Sequence, residues 1–506
     1  MAPSRRDDET ERASSPVGAL KSRAVGGAAV TGAAQAVKVA VQFVSVVVLA
    51  RLLRPGDFGV FAMVMPLTAF VMVFQDLGLS QAVITSREIT REQMSGLFWI
   101  NLGVSALLGL LLAATAPLLG LFYGEPKVVG LTVALAATVM IAGLGSQHFA
   151  LLARDMRFKP LAMIDSASAV IGLATAVLIA LWRPSVWALF AATTASMSAG
   201  MVGAWLFTGW RPGRSAPFAE VRAMLRLGGG VTTFNISNFF ARNLDNVLIG
   251  RVAGAAELGL YDRAYKLLLL PLQQINNPIG RVMVPILSRL VDEPERYRQA
   301  YSRTAQQILL ITVPGVLFLI FTADTLIPAL MGHEWAGAAP IFTWLGLAAL
   351  PQPFSNTLGW LFVSQQRTGQ FARWGLFNAV TSIAAFILGL PWGAIGVAAA
   401  YALSDVCLRL PALWWYAGRE GPVRTKQIWA LAAPFAAAGA VAAIPLAALR
   451  LTSTGWPLLD LAIAAAVSYL GVASALLASS TGRGILKESL GLVAMAGQRL
   501  GRRKLA

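Results

Sequence analysis

Cysteine, histidine and charged side chains are scarce in this chain of 506 residues, and their scarcity excludes several kinds of site. Cys407 is the only cysteine, so the chain forms neither an internal disulfide nor a cysteine-based metal centre. His148 and His333 are the only histidines, and they lie too far apart in the sequence to indicate a metal site. The glycine-rich motif of nucleotide-binding phosphate loops is also missing. We therefore expect no metal, no cofactor and no ATP motor of that type.

Charged residues make up 13% of the chain, whereas soluble domains contain about 25%. Hydrophobic residues account for 57% of the chain, the mean hydropathy is +0.65, and apolar runs of about 20 residues recur along almost the whole length. This pattern predicts an all-α polytopic membrane protein with about 14 transmembrane helices. The predicted helices lie near residues 25–50, 58–84, 95–122, 128–153, 161–182, 186–209, 227–250, 258–288, 304–323, 336–364, 372–391, 393–417, 428–449 and 457–480.

The net charge of +17 is distributed unevenly over the predicted loops. With the N-terminus inside, 29 of the 41 lysines and arginines fall on the inner side, and six fall in the outer loops. Cytoplasmic loops of membrane proteins carry such an excess of basic residues. We therefore expect both termini in the cytoplasm, and the positive charge requires no nucleic-acid partner.

Two segments of the chain are related by an internal repeat. Leu49–Phe61 aligns without gaps on Ile249–Tyr261. An even number of predicted helices separates the two copies, which therefore cross the membrane in the same direction. The expected organisation is a disordered cytoplasmic tail at 1–24, an N-lobe of six helices at 25–210, a cytoplasmic linker at 211–226, a C-lobe of six helices at 227–418, helices thirteen and fourteen at 428–480, and a basic cytoplasmic tail at 481–506.

Polar residues form a stripe on one face of the first helix and of its counterpart in the second lobe. Gln35, Lys38 and Gln42 recur at steps of three and four, which places them on one helix face. A charge at the bilayer centre costs about 2.5–3.5 kcal/mol on insertion scales, so it must face water or a partner. The eighth helix adds more polar residues, and basic ones outnumber acidic ones. We predict a wet central cavity that binds a phosphate or pyrophosphate through Lys38, Gln42, Asn235, Asn238, Arg242, Asn277 and Arg281.

The same charges could instead form structural pairs within the membrane. Lys38 could pair with Asp76 on the next helix, and Arg242 could pair with Asp245 one turn along its own helix. Asp76 and Asp245 are also the candidate carriers if transport is coupled to protons or to sodium. The spacing of these residues does not decide between the alternatives.

Four charged residues lie at the outer ends of the repeated hairpins. Arg51 matches Arg251, and Asp57 matches Glu257, at a constant separation of 200 residues. These residues either lock an outer gate or orient the turns in which they lie.

The repeat also carries sequence motifs that are typical of one family. The DFG sequence at Asp57–Gly59, the DLGLSQA sequence at Asp76–Ala82 and the later YDRAYKLLLLPLQQINNPIGRVMVP sequence resemble the polysaccharide exporters of the multidrug/oligosaccharidyl-lipid/polysaccharide (MOP) superfamily, in particular the Wzx-type branch. The resemblance implies a pseudo-symmetric two-lobe bundle of six plus six helices with two additional C-terminal helices.

The resemblance also implies an activity. It predicts a flippase, not an enzyme, that moves an undecaprenyl-pyrophosphate-linked glycan across the bacterial inner membrane by alternating access. The implied partners are that glycan, membrane lipids, and polysaccharide polymerase or export machinery. Two alternatives are a drug or cation antiporter of the same superfamily and a membrane glycosyltransferase or polymerase.

Overall fold

The computed structural model describes residues 16–76, 80, 83–84, 89–214, 243–452 and 454–491, except for the side chains of residues 16–31, 33, 73 and 76. All regular elements within these residues are helical. The described chain divides into two compact units, Met1–Asn243 and Leu244–Ala506, which we call the first and second units. The predicted linker from residue 215 onward and most of the seventh predicted helix lie outside the described residues, so the predicted lobe boundaries stay predictions.

The helices are numbered in chain order. The first unit contains α1 (Pro16–Leu52), α2 (Pro55–Asp76), α3 (Arg91–Tyr123), α4 (Pro126–Arg154), α5 (Phe158–Trp182) and α6 (Val186–Thr208). The second unit contains α7 (243–252), α8 (Gly254–Arg289), α9 (Pro294–Phe321), α10 (Ala323–Met331), α11 (Ala338–Ala349), α12 (Gln352–Ser364), α13 (Thr368–Gly389), α14 (Gly393–Ser404), α15 (Leu410–Gly418), α16 (Thr425–Leu449), α17 (Pro457–Ala478) and α18 (480–491). Two short 3-10 turns, His333–Trp335 and Leu390–Trp392, and one π turn, Asp405–Arg409, join some of these helices.

Ten helical segments among the described residues are long and apolar enough to cross a membrane. The chain is therefore a multi-pass membrane protein of the all-α class, as predicted. Fewer spans are found than predicted. Most of predicted helix 227–250 lies outside the described residues, and predicted helix 258–288, which is α8, is not among the ten segments. Predicted helices 372–391 and 393–417 form one continuous apolar segment, Thr368–Gly418. Predicted helix 336–364 is broken at Leu350 and Pro351 into α11 and α12, because proline removes a backbone donor.

Helix α1 begins at Pro16, before the predicted start at residue 25. The prediction of disorder for 1–24 is therefore wrong for residues 16–24. Proline fits the first turn of a helix, where its missing N–H has no partner in any case. Ala19, Leu20 and Lys21, which follow it, are good helix formers. The charged composition of this segment misled the prediction.

The two units share one turn, which lies between α4 and α5 in the first unit and between α12 and α13 in the second. Met156 and Gln366 both have a positive φ, 54° and 57°, and an arginine follows each of them. Arg157 Nη1 donates to the carbonyl oxygen of Phe207 at 2.7 Å, and Arg367 Nη1 donates to that of Ala417 at 3.1 Å. Each contact ties the turn to the end of a later helix of its own unit. The internal repeat recognised in the sequence thus extends to backbone conformation and to side-chain contacts.

The last helices pack on α9. Ser468 Oγ of α17 donates to the carbonyl oxygen of Pro314 at 2.6 Å. Gln307 Nε2 donates to Ser489 Oγ of α18 at 2.8 Å. The predicted basic tail at 481–506 therefore begins as a helix that is packed on α9, because Ile485 and Ser489 lie on one face and are buried there.

Candidate functional site

Helix α8 carries an exposed polar stripe along one face. Lys266, Gln273, Asn277 and Arg281 recur at steps of seven and four residues, and all four are exposed. The opposite face packs into the second unit, where Asn276 Nδ2 donates to the carbonyl oxygen of Pro353 at 3.3 Å. The second unit therefore leaves this stripe uncovered, and we call it the α8 stripe. Exposed polar groups on a membrane helix are costly against lipid and are normally found beside water.

One end of the α8 stripe is partly neutralised by a buried carboxylate. Asp262, which is 5% exposed, lies 3.0 Å from Arg263 Nη2 and 2.7 Å from Lys266 Nζ. The sequence analysis counted Arg263 and Lys266 among the basic residues of this helix and did not consider that Asp262 pairs with both. The spacing of Asp262 and Lys266, one helical turn apart, was the signal that could have indicated the pair.

Lys38 of α1 forms an ion pair within the first unit. Its Nζ lies 3.2 Å from Asp165 Oδ2 on α5, and the two side chains are 38% and 54% exposed. This pair forms because α5 packs against α1 at this level, where Ser166 Oγ donates to the carbonyl oxygen of Ala34. The suggested pairing with Asp76 stays a prediction, since the side chain of Asp76 lies outside the described residues. The pair is open on one side, so the ammonium group can contact a further anion. Gln42, one turn along α1, is exposed.

Asp245 is the described acid of α7, and it is 7% exposed. Its carboxylate accepts hydrogen bonds from the hydroxyl of Tyr261 at 3.1 Å and from the backbone N–H of Asn246 at 2.8 Å. The predicted site residues Asn235, Asn238 and Arg242, and therefore the suggested Arg242–Asp245 pair, lie outside the described residues. The side chain of Asp76 lies outside them as well.

The matched acids of the repeat cap helices in their own units. Asp57 Oδ1 accepts from the backbone N–H of Val186 at 3.2 Å, at the start of α6. Glu257 Oε2 accepts from the backbone N–H of Ala394 at 2.9 Å, at the start of α14. Helix N-termini have free N–H groups and a positive partial charge that favour a carboxylate. These contacts give Asp57 and Glu257 a structural role, and gating by them together with Arg51 and Arg251 stays a prediction.

A cavity of about 240 Å³ lies inside the second unit, bounded by α8, α11, α12, α13, α14, α15 and the π turn. Its wall combines aromatic rings with side-chain amides. The aromatic rings come from Phe371, Trp374 and Tyr401, and the amides come from Gln352, Asn356 and Asn378. We call this feature the second-unit cavity. The sequence analysis did not anticipate it, because its wall residues are spread over more than a hundred positions and only the packing brings them together.

Arg409 lies in the wall of this cavity and is 2% exposed. Its Nη2 lies 3.3 Å from Asp405 Oδ1 and donates to the carbonyl oxygen of Tyr401 at 2.9 Å. Its guanidinium also donates to Ser382 Oγ and lies 4.2 Å from the centre of the Tyr401 ring. Asp405 is the first and Arg409 the last residue of the π turn. Such turns are rare in proteins, and many of those known lie at functional sites. The sequence reasoning left both residues unassigned.

A hydrogen-bonded clamp fixes two walls of the cavity at the ends of α12 and α15. Arg367 Nη1 donates to the carbonyl oxygens of Ala417 at 3.1 Å and Glu420 at 2.9 Å. Gln370 Nε2 donates to Glu420 Oε2 at 2.7 Å. This hydrogen bond, together with the nearby Arg367 and Arg419, lowers the pKa of the Glu420 carboxyl below its usual value. The clamp therefore holds the turn before α13 against the loop after α15.

The comparison with protein families decides the family of the chain. The profile of the family described as polysaccharide biosynthesis protein matches residues 48–340, which is more than half of the chain. The chain belongs to this family. The resemblance to the polysaccharide exporters of the MOP superfamily, inferred from the sequence motifs, is confirmed.

Curated relatives of the family are similar over most of their length. The chain is 24% identical over 390 residues to the lipopolysaccharide biosynthesis protein WzxC of Escherichia coli (strain K12), covering 76% of this chain and 79% of WzxC. It is 26% identical over 351 residues to the succinoglycan biosynthesis transport protein ExoT of Rhizobium meliloti (strain 1021), covering 69% and 70% of the two chains.

Two solved structures show the fold. The lipid II flippase MurJ in an inward closed conformation aligns with a TM-score of 0.70 at 14% identity, covering 88% of this chain and 98% of MurJ. An inward-facing multidrug resistance MATE family transporter of the MOP superfamily aligns with a TM-score of 0.59 at 14% identity, covering 78% and 95%. At this identity the structural similarity shows that the chain has the MOP-type fold, and it does not identify the substrate.

Proposed function

We propose that this protein is a flippase of the bacterial inner membrane. It moves a polyprenyl-pyrophosphate-linked oligosaccharide, such as the repeat unit of an O-antigen, exopolysaccharide or capsule, to the outer leaflet by alternating access. Family membership and the relatives named for lipopolysaccharide biosynthesis and succinoglycan transport support this proposal. The excess of basic residues in the predicted inner loops supports a cytoplasmic location of both termini.

The α8 stripe is the observation that carries the proposal. A charge against lipid costs about 2.5–3.5 kcal/mol, so an exposed Arg281 at membrane depth is favourable only beside water or an anionic ligand. A pyrophosphate linked to a polyprenol is such a ligand, and a guanidinium binds phosphate oxygens through two parallel hydrogen bonds. Arg281 and the open side of Lys38 are the proposed pyrophosphate contacts, and Asn277 and Gln42 are the neighbouring hydrogen-bond donors. Asn235, Asn238 and Arg242 complete the proposed set.

The membrane potential acts on the charge of the proposed substrate. An inside-negative membrane potential favours outward movement of an anion by about 2.3 kcal/mol per charge per 100 mV. The potential alone therefore biases export of a pyrophosphate. If protons or sodium ions are coupled to this movement, Asp76 and Asp245 are the candidate carriers. A polysaccharide polymerase that consumes the flipped glycan is the proposed functional partner.

The experiment is complementation of a strain in which the gene is deleted. The wild-type gene should restore surface polysaccharide, and Arg281→Ala should lower the rate of export about ten- to hundredfold, because a hydrogen bond to a charged group contributes about 1.5–3 kcal/mol. Lipid-linked glycan should accumulate in the Arg281→Ala strain. The matched control is Arg296→Ala, since Arg296 is 71% exposed in a surface pair with Glu293.

Two results would contradict parts of the proposal. Failure of the wild-type gene to restore export, at normal protein levels in the membrane, would exclude the proposed function. Export by Arg281→Ala equal to that by Arg296→Ala would leave the function in place and remove the α8 stripe from the substrate path.

A further inference from the structure

We propose that the second-unit cavity binds one sugar ring of the transported glycan, at a site distinct from the proposed pyrophosphate contacts on α1 and α8. This inference rests on the proposed function, because it takes the ligand to be a saccharide. It assigns to the cavity the recognition of glycan identity.

The aromatic part of the wall fits the apolar face of a sugar. A pyranose ring presents C–H groups on its faces, and these pack favourably on aromatic rings. Phe371 and Trp374 project from successive turns of α13 into the cavity wall. Phe371 stacks on Phe362, with ring centres 5.6 Å apart, and Trp374 stacks on Tyr416 at 6.5 Å. Both rings are thus held in place by further rings, which lowers the entropy lost when a ligand binds.

The polar part of the wall fits the hydroxyl rim of a sugar. The side-chain amides of Gln352, Asn356 and Asn378 form no hydrogen bond with any other side chain or carbonyl group that the structure describes. Ser355 Oγ is buried without a hydrogen-bond partner among the same residues. Gln352 and Asn378 are half-buried, whereas Asn356 is exposed. Buried polar groups such as Ser355 Oγ are normally satisfied, by a ligand or by water where the protein offers no partner. Amides supply both donors and acceptors, as a ring of hydroxyl groups requires.

The charges in the wall exclude other classes of ligand. Asp405 is the carboxylate of the wall, and it is already paired with Arg409, so a metal ion would find a single carboxylate ligand, and that one occupied. An anion would meet a guanidinium that is 2% exposed and already neutralised. A wholly apolar ligand would leave the free amides unsatisfied, at a cost of about 1–3 kcal/mol for each group. A neutral ligand with an apolar face and a polar rim remains.

The volume of the cavity sets the size of that ligand. The cavity volume of about 240 Å³ is many times the roughly 10–15 Å³ that a single water molecule needs on this measure. This space accepts one sugar ring. The site would therefore read one sugar of the repeat unit, while the remainder of the glycan and the lipid lie elsewhere.

Protection of an introduced cysteine tests the proposal on the full chain. Cys407→Ser gives a background without cysteine, since Cys407 is the only one. Ala348→Cys then places a thiol in the cavity wall without replacing any of its polar groups. Val380→Cys on α13, 58% exposed, is the control outside the cavity. The purified variants are labelled with a small maleimide in the presence of lipid-linked glycan extracted from the host strain, or of polyprenyl phosphate without sugar.

The glycan lipid should slow labelling of Ala348→Cys about tenfold at ten times its Kd, since only the ligand-free fraction reacts. The glycan lipid should not change the labelling rate of Val380→Cys, and polyprenyl phosphate should protect neither cysteine. Adding Asn378→Ala to Ala348→Cys should weaken the protection by the glycan lipid. Equal protection by polyprenyl phosphate would overturn the proposal, because a lipid would then occupy the cavity. A thiol that reacts at the same rate with and without glycan, or never reacts, would also overturn it.

The two levels of the proposal fail in different ways. If the wild-type gene restores export and the glycan lipid does not protect Ala348→Cys, only the sugar site is wrong. If the gene does not restore export, the proposed function falls, and the sugar site falls with it. If the Trp374 ring takes no part in binding, the glycan lipid should protect Ala348→Cys equally in Trp374→Phe and in Trp374→Ala. Stacking on a sugar predicts that only Trp374→Phe retains the protection.

Discussion

Replacing Asp405 with leucine is expected to destabilise the protein by about 3–5 kcal/mol, because it leaves a buried cation without a counter-charge. Arg409 is 2% exposed, and its Nη2 lies 3.3 Å from Asp405 Oδ1. At that distance the attraction between unit charges is about 5 kcal/mol for an effective dielectric constant of about 20. A guanidinium does not lose its proton in a protein. Arg409 therefore has no means of becoming neutral when Asp405 is removed.

The reverse substitution should be less severe. In Arg409→Met the remaining carboxylate of Asp405 is 22% exposed, so it keeps some contact with water, and a carboxyl can also bind a proton. The double variant Asp405→Leu/Arg409→Met removes both charges and should recover most of the lost stability. Replacing a buried ion pair by apolar side chains of similar size is often neutral or stabilising. The expected order of stability is therefore wild type and the double variant, then Arg409→Met, then Asp405→Leu.

Unfolding of the purified variants by SDS in mixed micelles measures the differences in free energy. Glu293→Gln serves as the control, because it breaks an exposed pair with Arg296, and exposed pairs contribute about 0–1 kcal/mol. The reasoning is refuted if Asp405→Leu unfolds at the same SDS fraction as Glu293→Gln. It is also refuted if the double variant is no more stable than Asp405→Leu alone.

Two further predictions concern Lys38 and Glu257. The exchange Lys38→Asp/Asp165→Lys keeps an exposed ion pair worth about 0–1 kcal/mol and moves the ammonium group to α5. Export in the deletion strain should therefore fall as far as in Lys38→Ala, at unchanged protein levels. Full export would show that Lys38 serves only to bind Asp165. Glu257→Ala should lower the free energy of unfolding in SDS by about 0.5–2 kcal/mol through loss of the cap on α14. Gly393→Ala should also destabilise, since its Cβ would lie 2.5 Å from Glu257 Oε2 at a φ of +66°; wild-type stability of both variants would contradict the capping role.

The sequence was sufficient for the membrane class and the repeat, because both depend on patterns that are local in the chain. The exposed face of α8 is of the same kind, since Asn277 and Arg281 lie one turn apart and a helix fixes their common direction. The partner of Lys38 was not predictable in this way. Asp165 lies 127 positions away, and nothing in the spacing says that α5 packs against α1 at that level. The prediction named an acid on the adjacent helix because sequence neighbours are the only neighbours that a sequence shows.

The two copies of the repeat share contacts at the ends of corresponding helices and differ in the segment between those contacts. In both copies an acid accepts a hydrogen bond from a backbone N–H at the start of a helix. The two donors, Val186 and Ala394, lie 208 residues apart. In both copies an arginine also donates a hydrogen bond to a carbonyl oxygen near the end of a later helix. The two acceptors, Phe207 and Ala417, lie 210 residues apart. The second copy therefore has extra residues between these two contacts.

The π turn Asp405–Arg409 lies within that interval, and a π turn is the usual way to absorb an added residue without breaking a helix. The first unit has an uninterrupted helix there, with Met197 and Met201 where the second unit has its ion pair at a separation of 208. Because the frame contacts hold both ends of the segment, the added length is taken up inside the bundle, where it turns Arg409 toward Asp405 and Tyr401. Shortening this segment by deleting Cys407 should restore a regular α-helix and turn Arg409 by about 100° about the helix axis, away from Ser382 and Tyr401. The deletion variant should then keep its membrane insertion while losing glycan protection of Ala348→Cys, and undiminished protection would show that the π turn is not what shapes the site.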